Sequence, residues 1–353
     1  MSKNGSELKL LTAKRFASTV GASAVLLLLV LVGAPLIGST QIDLSRAFDF
    51  SIPAHLNPDA TILFSVRLPR TLLAALVGAA LSASGLTFQS LLRNPLASPF
   101  TLGISGGAAV ATALTIRLGL DGAVGPLSAQ TMAALLGSAA SATLVYLLAK
   151  TRGYLAPSTM LLAGVTLHFF FSSLILLIQY TADFTQSYQM VRWVMGGLDL
   201  VELRRLAVVA PLVIAGLVVL IVLSRQLNVM ALGDETARSL GVPVDQSRKV
   251  AFAAASVATG SAISLSGPIL FVGLMVPHLL RMILGPDHRV LMPSAVFAGG
   301  AIVVVCDTVA RTILAPTEIP VGVVTALTGG PFFLWILLRH KLRGIYPEES
   351  LPV

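Results

Sequence analysis

The chain has 353 residues, of which 55% are hydrophobic and 11% charged, whereas charged residues make up about 25% of an ordinary soluble domain. This composition excludes a soluble globular protein and indicates a membrane protein of roughly nine or ten spans, because one spanning helix uses about 20 apolar residues. The net charge of +8 does not indicate a nucleic-acid partner, because most basic residues lie on short loops between apolar runs. We therefore expect a single transmembrane domain over residues 1–353.

Ten apolar runs follow one another along the chain, and each is predicted to form a spanning helix. They cover residues 18–38, 62–90, 96–116, 127–149, 160–180, 206–224, 249–266, 269–284, 291–313 and 322–339. No run alternates with the period of a barrel strand, so the predicted fold class is all-α, a polytopic membrane protein with ten transmembrane helices. With both termini in the cytoplasm, sixteen of the 24 Lys and Arg residues lie inside, as membrane insertion favours.

Small residues recur in the second and seventh predicted spans. Residues 77–85 (VGAALSASG) and 258–267 (ATGSAISLSG) are similar, and five spans separate them. Two copies of one unit at this separation would run in opposite directions, as in an inverted repeat. A shared use of small residues for close helix packing explains the similarity equally well.

The segment Arg67-Leu-Pro-Arg70 places two basic residues at the predicted outer face, although basic residues favour the inner one. One interpretation is that both side chains extend to outer headgroups. The other is a docking point for carboxylates of an extracytoplasmic partner, because guanidinium groups bind carboxylates at two points. Arg311 would join them at the outer end of the ninth span, unless it pairs with Asp307 one helical turn earlier.

Two cytoplasmic segments also stand out. Residues 93–99 (RNPLASP) break the chain between the second and third spans, as a plain turn or as a gate lining a cavity. Residues 225–249 are too polar to span and are predicted to form one or two short amphipathic helices broken at Gly233 and Gly241. This second segment is either a solvated connector or a lever for a cytoplasmic partner, with Asp234 and Glu235 supplying charge and Ala237 and Leu240 an apolar face.

An enzymatic function finds no support in the motifs. The chain lacks a phosphate-binding loop, a metalloprotease histidine pair and a nucleophile elbow. Its single cysteine, Cys306, excludes an internal disulfide and a thiolate metal cage. We expect no bound metal and no cofactor on this chain.

Taken together, the motifs resemble the FecCD family, the permease subunits of ABC importers for iron-siderophores, haem and vitamin B12. The similarity runs from about residue 20 to 340. It rests on RLPR (67–70), RNPLA (93–97), GISGG (103–107), LGDE (232–235), FVGLMVPH (271–278), DHR (287–289), DTVAR (307–311), EIPVG (318–322) and TALTGGP (325–331).

The resemblance implies a dimeric type II importer permease in the bacterial inner membrane, multi-pass and lying in the lipid bilayer. Its implied partners are a second copy, two cytoplasmic ATPase subunits that bind the ATP, and an extracytoplasmic substrate-binding protein. Arg67, Arg70 and Arg311 match the positions that receive carboxylates of the binding protein. The segment 226–248 around Gly233, Asp234 and Glu235 matches the helices that fit the ATPase.

The resemblance further implies that the fifth and tenth spans line the pathway. Asn94 and Leu96, in the turn after the second span, match one part of the inner gate, and Pro157, Ser158 and Thr159 match the other. His168, followed by three phenylalanines, is either a haem contact or a hydrogen-bond partner between helices. Siderophore, haem and cobalamin remain open as substrates. The alternatives are an ion-coupled secondary transporter that works without an ATPase, and a membrane scaffold that transports nothing.

Overall fold

The computed structural model describes residues 13–49, 51–53, 56–120, 122–151, 154–198 and 203–342, and within them the chain is almost entirely helical. The helices in chain order are α1 (Ala13–Gly33), α2 (Leu44–Ala47), α3 (Pro58–Ala60), α4 (Leu68–Leu92), α5 (Ile104–Arg117), α6 (Ala129–Ala149), α7 (Pro157–Thr181), α8 (Phe184–Val194), α9 (Leu203–Val222), α10 (Ser224–Met230), α11 (Asp234–Ser239), α12 (Val244–Ser266), α13 (Val272–Leu284), α14 (His288–Thr312) and α15 (Val321–Leu342). The predicted all-α class is confirmed. The predicted cytoplasmic termini lie outside the described residues.

A helix occupies each of the ten predicted spans. In the described part of the chain, eight helices are long and apolar enough to cross a bilayer. The other two, α5 and α13, have 14 and 13 residues. At 1.5 Å per residue they reach only about 20 Å, against roughly 30 Å of hydrocarbon. Residues 93–103 and 267–271, which are largely not helical, precede these two short helices and pack against other helices, where such backbone is tolerated.

The third predicted span is therefore shortened at its start. Pro95 and Pro99 cannot donate ladder hydrogen bonds, and Gly103 takes a left-handed conformation (φ 72°) immediately before α5. The same arrangement follows α12, where Phe271 has φ 65° immediately before α13. A long buried helix followed by a break and a short helix thus occurs twice, in α4–α5 and in α12–α13. This correspondence supports the inverted-repeat interpretation.

The core of the bundle consists of α4, α12 and α14, most of whose residues are buried, whereas most residues of α7 are at least partly exposed. Glycines allow the backbones to approach closely. A side chain at Gly78 would lie 2.2 Å from the carbonyl oxygen of Gly299, and one at Gly85 would lie 1.9 Å from that of Gly273. These contacts join α4 to α14 and to α13 in the manner of small-residue packing in membranes.

Two short antiparallel hairpins and the amphipathic helix α8 lie between spans in the described part of the chain. The hairpins pair β1 (Ala123–Val124) with β2 (Leu127–Ser128), and β3 (Lys150–Thr151) with β4 (Tyr154–Leu155). The helix α8 begins with a capping box in which Asp183 accepts from the backbone of Gln186, and the Gln186 side chain accepts from the Asp183 backbone. The hydropathy pattern predicted no element there, although the Asp-x-x-Gln spacing is the sequence signal of such a cap.

Candidate functional site

Charged side chains gather at both ends of α4. We call Arg67, Arg70, Asp307, Arg311 and Glu318 the arginine cluster, and Arg93, Asp234 and Arg248 the Asp234 cluster. Arg70 lies in the first turn of α4, and Arg93 follows its last residue. Their separation of 23 positions corresponds to roughly 35 Å of helix, which exceeds the hydrocarbon thickness of a bilayer. The two surfaces predicted to lie on opposite sides of the membrane are therefore at opposite ends of the bundle.

The arginine cluster is an ion-pair network joining α4, α14 and the segment before α15. Nε of Arg70 donates to Asp307 at 2.9 Å, and its Nη1 donates to Glu318 at 2.6 Å. Nε of Arg311 lies 3.0 Å from the second carboxylate oxygen of Asp307, at ion-pair distance but outside hydrogen-bond geometry. Asp307 is 1% exposed, whereas the side chain of Glu318 is 44% exposed. Only Glu318 of the two carboxylates therefore reaches the surface.

Arg67 and Arg311 are turned toward the chain that follows α1. Arg67 donates to the carbonyl oxygens of Pro35, at 3.0 Å, and of Thr40. Arg311 donates to those of Ile37 and Ala34 at 3.3 and 3.4 Å. Both side chains are about 5% exposed. The sequence predicted Arg67, Arg70 and Arg311 as outward-facing docking groups; the structure brings all three together but buries them. The pairing of Arg311 with Asp307, predicted as the alternative, is present.

Arg70 nevertheless reaches one opening. It lines a cavity of about 250 Å³ together with Glu318 and with Tyr188, Arg192 and Met195 of the amphipathic helix α8 and the residue after it. Arg192 is exposed. Sequence reasoning assigned no role to Arg192 or Glu318, because α8 was not predicted and Glu318 entered only as part of a motif. This cavity is the place at the arginine cluster where an external carboxylate would meet a guanidinium group.

At the other end of the bundle, α10 and α11 form the predicted pair of short helices. The breaks fall at the predicted glycines, since Gly233 (φ 122°) precedes α11 and Gly241 (φ 80°) follows it, in conformations that side chains disfavour. Leu232, Glu235 and Leu240 are exposed on this unit. Ala237 is fully buried, which corrects the prediction that it belongs to the outward apolar face.

Asp234 faces into the protein instead of toward a partner. Its carboxylate accepts from Nη2 of Arg93 at 2.5 Å and from Nη2 of Arg248 at 2.8 and 2.9 Å. The carboxylate keeps 23% of its surface, while Arg248 keeps 1%. Nη1 of Arg248 donates to the carbonyl oxygen of Leu155 at 3.1 Å. The sequence predicted Asp234 as a surface charge. It gave no sign of the ion pair with Arg248, which was counted only among the basic residues on the cytoplasmic side.

The predicted gate residues lie beside these contacts. Asn94 and Leu96 form a turn in which the side-chain oxygen of Asn94 accepts from the backbone of Leu96 at 2.9 Å, and Leu96 is 61% exposed. Pro157, Ser158 and Thr159 form the first turn of α7, immediately after Leu155 and Ala156. Leu155 itself is fully buried. Both segments are thus held within one or two residues of an Asp234-cluster contact.

His168 lies on α7 where the chain before α5 packs against that helix. A side chain at Gly103 would lie 3.2 Å from the carbonyl oxygen of Gly164 and 3.5 Å from the backbone nitrogen of His168. The ring of His168 is 5.9 Å from that of Phe169, and its Nδ1 is buried with no hydrogen-bond partner in the described part of the chain. The two roles of His168, as a haem contact or as a hydrogen-bond partner between helices, stay predictions.

A second polar network fixes the unit α10–α11 to the bundle. The side-chain oxygen of Asn228, on α10, accepts from the backbone of His288 at 2.7 Å and lies 2.8 Å from its Nδ1. Its amide nitrogen donates to Asp287 at 2.6 Å. The hydrogen bond from Arg289 is the main cause that lowers the pKa of Asp287 to about 2, followed in the same direction by the one from Asn228, while burial opposes both. Asp287 therefore stays ionised as the cap of α14.

Comparison with known proteins places the chain among transport proteins. The FecCD transport family matches residues 25–339. The chain is 37% identical over 327 residues to the hemin transport system permease protein of Yersinia pestis, covering 91% of this chain and 96% of that one. It is 41% identical over 279 residues to the vitamin B12 import system permease protein of Escherichia coli O9:H4, covering 79% and 84%.

A solved structure is similar over nearly its whole length. It is described as an inward-facing conformation of a transporter assigned to the metal-chelate type of ABC transporters. It covers 92% of this chain and 99% of its own, with a TM-score of 0.78 and 28% sequence identity. The likeness in fold therefore extends over most of the chain.

Proposed function

The chain belongs to the FecCD transport family, and from this premise we propose that it is the membrane-spanning permease subunit of an ATP-driven importer for a large metal chelate. The family match over residues 25–339 carries this proposal. Haem, cobalamin and iron-siderophores are the substrate candidates, in keeping with the printed functions of its relatives. The chain binds no cofactor, and ATP is bound and hydrolysed by a separate subunit.

In the proposed complex, the exposed surface of α10 and α11 on each copy of the chain is the contact for one of the two ATPase subunits. Leu232, Glu235 and Leu240 supply apolar and acidic contacts there, and the Asp234 cluster lies directly behind them. Nucleotide-driven movement of the ATPase dimer would push on this unit and open or close the turn at Asn94 and Leu96 and the first turn of α7. The energy then comes from ATP and not from an ion gradient.

Two copies of the chain enclose the proposed pathway. The helix α7 exposes Leu162, Phe169, Leu176 and Tyr180, whose spacing of seven or four residues places them on one face. The last helix, α15, exposes Leu327 and Leu334 seven residues apart. These weakly polar faces suit a conduit for a bulky chelate that a separate binding protein holds tightly outside. We propose the homodimer on this basis, with His168 near the pathway wall.

Reconstituted transport tests the proposed function. We expect proteoliposomes containing the chain, its ATPase and its binding protein to accumulate one of the three chelates only when ATP and both partners are present. Collapsing ion gradients with ionophores should leave the rate unchanged. Uptake that needs an ion gradient and continues without the ATPase would establish the secondary-transporter alternative, and no uptake of any substrate class would favour a scaffold.

If the binding protein docks at the cavity beside Arg70, variants at Arg70 and at Glu318 should change its affinity in opposite directions. Arg70→Gln removes the guanidinium group that an external carboxylate would meet, and we expect the affinity for the binding protein to fall about tenfold, more at low salt. Glu318→Gln removes the exposed carboxylate that competes for Arg70, so affinity should rise. Binding is measured on detergent-purified dimers by surface plasmon resonance.

The cytoplasmic variant Asp245→Asn, which also removes one negative charge, is the control and should not change this affinity. If Arg70→Gln and Glu318→Gln change affinity in the same direction, or not at all, the cavity is not the docking point. Arg67 and Arg311 are then best described as tethers for the chain after α1, and Arg70 as part of the buried network.

A further inference from the structure

The contacts of Asp234 join three segments that are distant in sequence. Asp234 is the first residue of α11, Arg93 follows the last residue of α4, and Arg248 lies in the second turn of α12. Both arginines bond to the same carboxylate at 2.5 and 2.8 Å. Each arginine also contacts or adjoins one of the two segments that match the inner gate. We call residues 94–96 the first gate segment and residues 155–159 the second.

Arg93 connects α11 to the first gate segment. It has a left-handed backbone (φ 49°) and terminates α4, and the backbone of Asn94 bonds to Gln89 at 3.1 Å. The turn of Asn94 and Leu96 therefore starts one residue from the guanidinium-bearing residue. A displacement of Asp234 is therefore transmitted through the ion pair to Arg93, whose backbone sets the direction of this turn.

Arg248 connects α11 to the second gate segment. Its side chain is 1% exposed, so its charge depends on Asp234 for neutralisation, and the loss of such a partner is costly in a buried site. Its other nitrogen, Nη1, donates to Leu155, two residues before Pro157 of α7. Arg248 must therefore stay with Asp234, and Leu155 is bonded to Arg248.

We propose that Asp234 is a positioning residue that makes α11 and both gate segments move as one body. This inference rests on the proposed function and deepens it, because it assigns the transmission step to one carboxylate and two arginines. Asp234 acts from behind the ATPase-facing surface, through Arg93 toward residues 94–96 and through Arg248 toward residues 155–159. The exposed residues of α10–α11, and not Asp234, contact the ATPase.

Distance measurements on the chain alone test the link. In a Cys306→Ala background, spin labels are placed at Leu240→Cys on α11 and at either Leu96→Cys or Ser158→Cys in the gate segments. We expect narrow distance distributions for both pairs. Asp234→Asn should broaden both. Arg93→Gln should broaden only the pair 240–96. Arg248→Lys keeps the ion pair but loses the bond to Leu155, and should broaden only the pair 240–158.

A matched control exists in the same unit. Arg238 of α11 also pairs with Asp245 of α12, at 3.4 Å, but both side chains are about half exposed, and among the described residues neither forms an ion pair with residues 93–97 or 155–159. Asp245→Asn should leave both distributions narrow. In proteoliposomes we expect Asp234→Asn to lower the number of substrate molecules imported per ATP at least tenfold while ATP hydrolysis continues, and Asp245→Asn to leave this ratio unchanged.

The outcomes separate the two proposals. If the wild-type complex shows no ATP-dependent uptake, the proposed function fails, whatever the distances are. If the single-arginine variants broaden both pairs alike, or Asp234→Asn broadens neither, the link fails even where uptake is normal. Should Asp234→Asn not fold, Arg93→Gln and Arg248→Lys still decide, because each leaves one half of the link intact.

Discussion

Replacing Asp307 by alanine should destabilise the folded chain by about 3–5 kcal/mol, the effect expected when one partner of a buried ion pair is removed. Asp307 is 1% exposed and neutralises Arg70 and Arg311, which are themselves largely buried. Its loss leaves two guanidinium groups inside the bundle, with Glu318 as the one carboxylate paired with either of them in the described part of the chain. The measurement is the free energy of unfolding of the detergent-purified chain, followed by far-UV circular dichroism in increasing denaturant.

Glu318→Ala is the control in the same network. The side chain of Glu318 is 44% exposed, so water screens its interaction with Arg70 at 2.6 Å, and we expect a loss of at most about 1 kcal/mol. If Glu318→Ala costs as much as Asp307→Ala, the stability of the arginine cluster does not depend on burial. Asp307→Asn, which keeps the shape of the side chain and removes its charge, should fall between the two.

Adding one methyl group at Gly85 should prevent normal packing of α4 against α13. A side chain there would lie 1.9 Å from the carbonyl oxygen of Gly273, and the obstruction is backbone that cannot rotate away. We expect Gly85→Ala to cost roughly 1–3 kcal/mol or more, since overpacking forces the backbone to shift. Thermal denaturation in detergent, monitored by size-exclusion chromatography, measures it.

Gly21→Ala, in contrast, should stabilise the folded chain. Gly21 lies within α1 with no atom within 4 Å of the added methyl group, and alanine favours a helix over glycine by roughly 1 kcal/mol. A stability loss at both glycines would indicate that helix packing does not determine the response. A neutral Gly85→Ala would contradict the close approach of α4 and α13.

The family and the ten helical segments could be predicted because their signals are local. Each span is a run of apolar residues, and each motif of the family is a short string in order along the chain. Boundaries shifted where proline and glycine overrode hydropathy, as in residues 96–103, which were predicted as the start of the third span and are not helical. The helix α8 was missed because its residues are amphipathic and form no apolar run.

The sequence shows which residues carry charge and belong to the motifs, whereas the orientation of their side chains depends on the tertiary structure. Arg70 and Arg311 were correctly grouped from their positions in two motifs, yet the bond from Arg70 to Asp307 joins residues 237 apart in sequence. Asp234 stood out in the sequence as part of a motif, but whether a carboxylate at the start of a short helix faces solvent or protein depends on what lies behind that helix. Here two arginines from α4 and α12 lie behind it.

The sequence by itself determined that this chain is a helical membrane permease, because hydrophobicity, the placement of basic residues and short motifs act over a few residues each. Only the tertiary structure decided which carboxylate neutralises which arginine. Burial removes water as the alternative partner, so each buried charge must find a counter-charge that the packing of distant helices brings within about 3 Å. The packing of α4 against α12 and α14 provides those partners at both ends of the bundle.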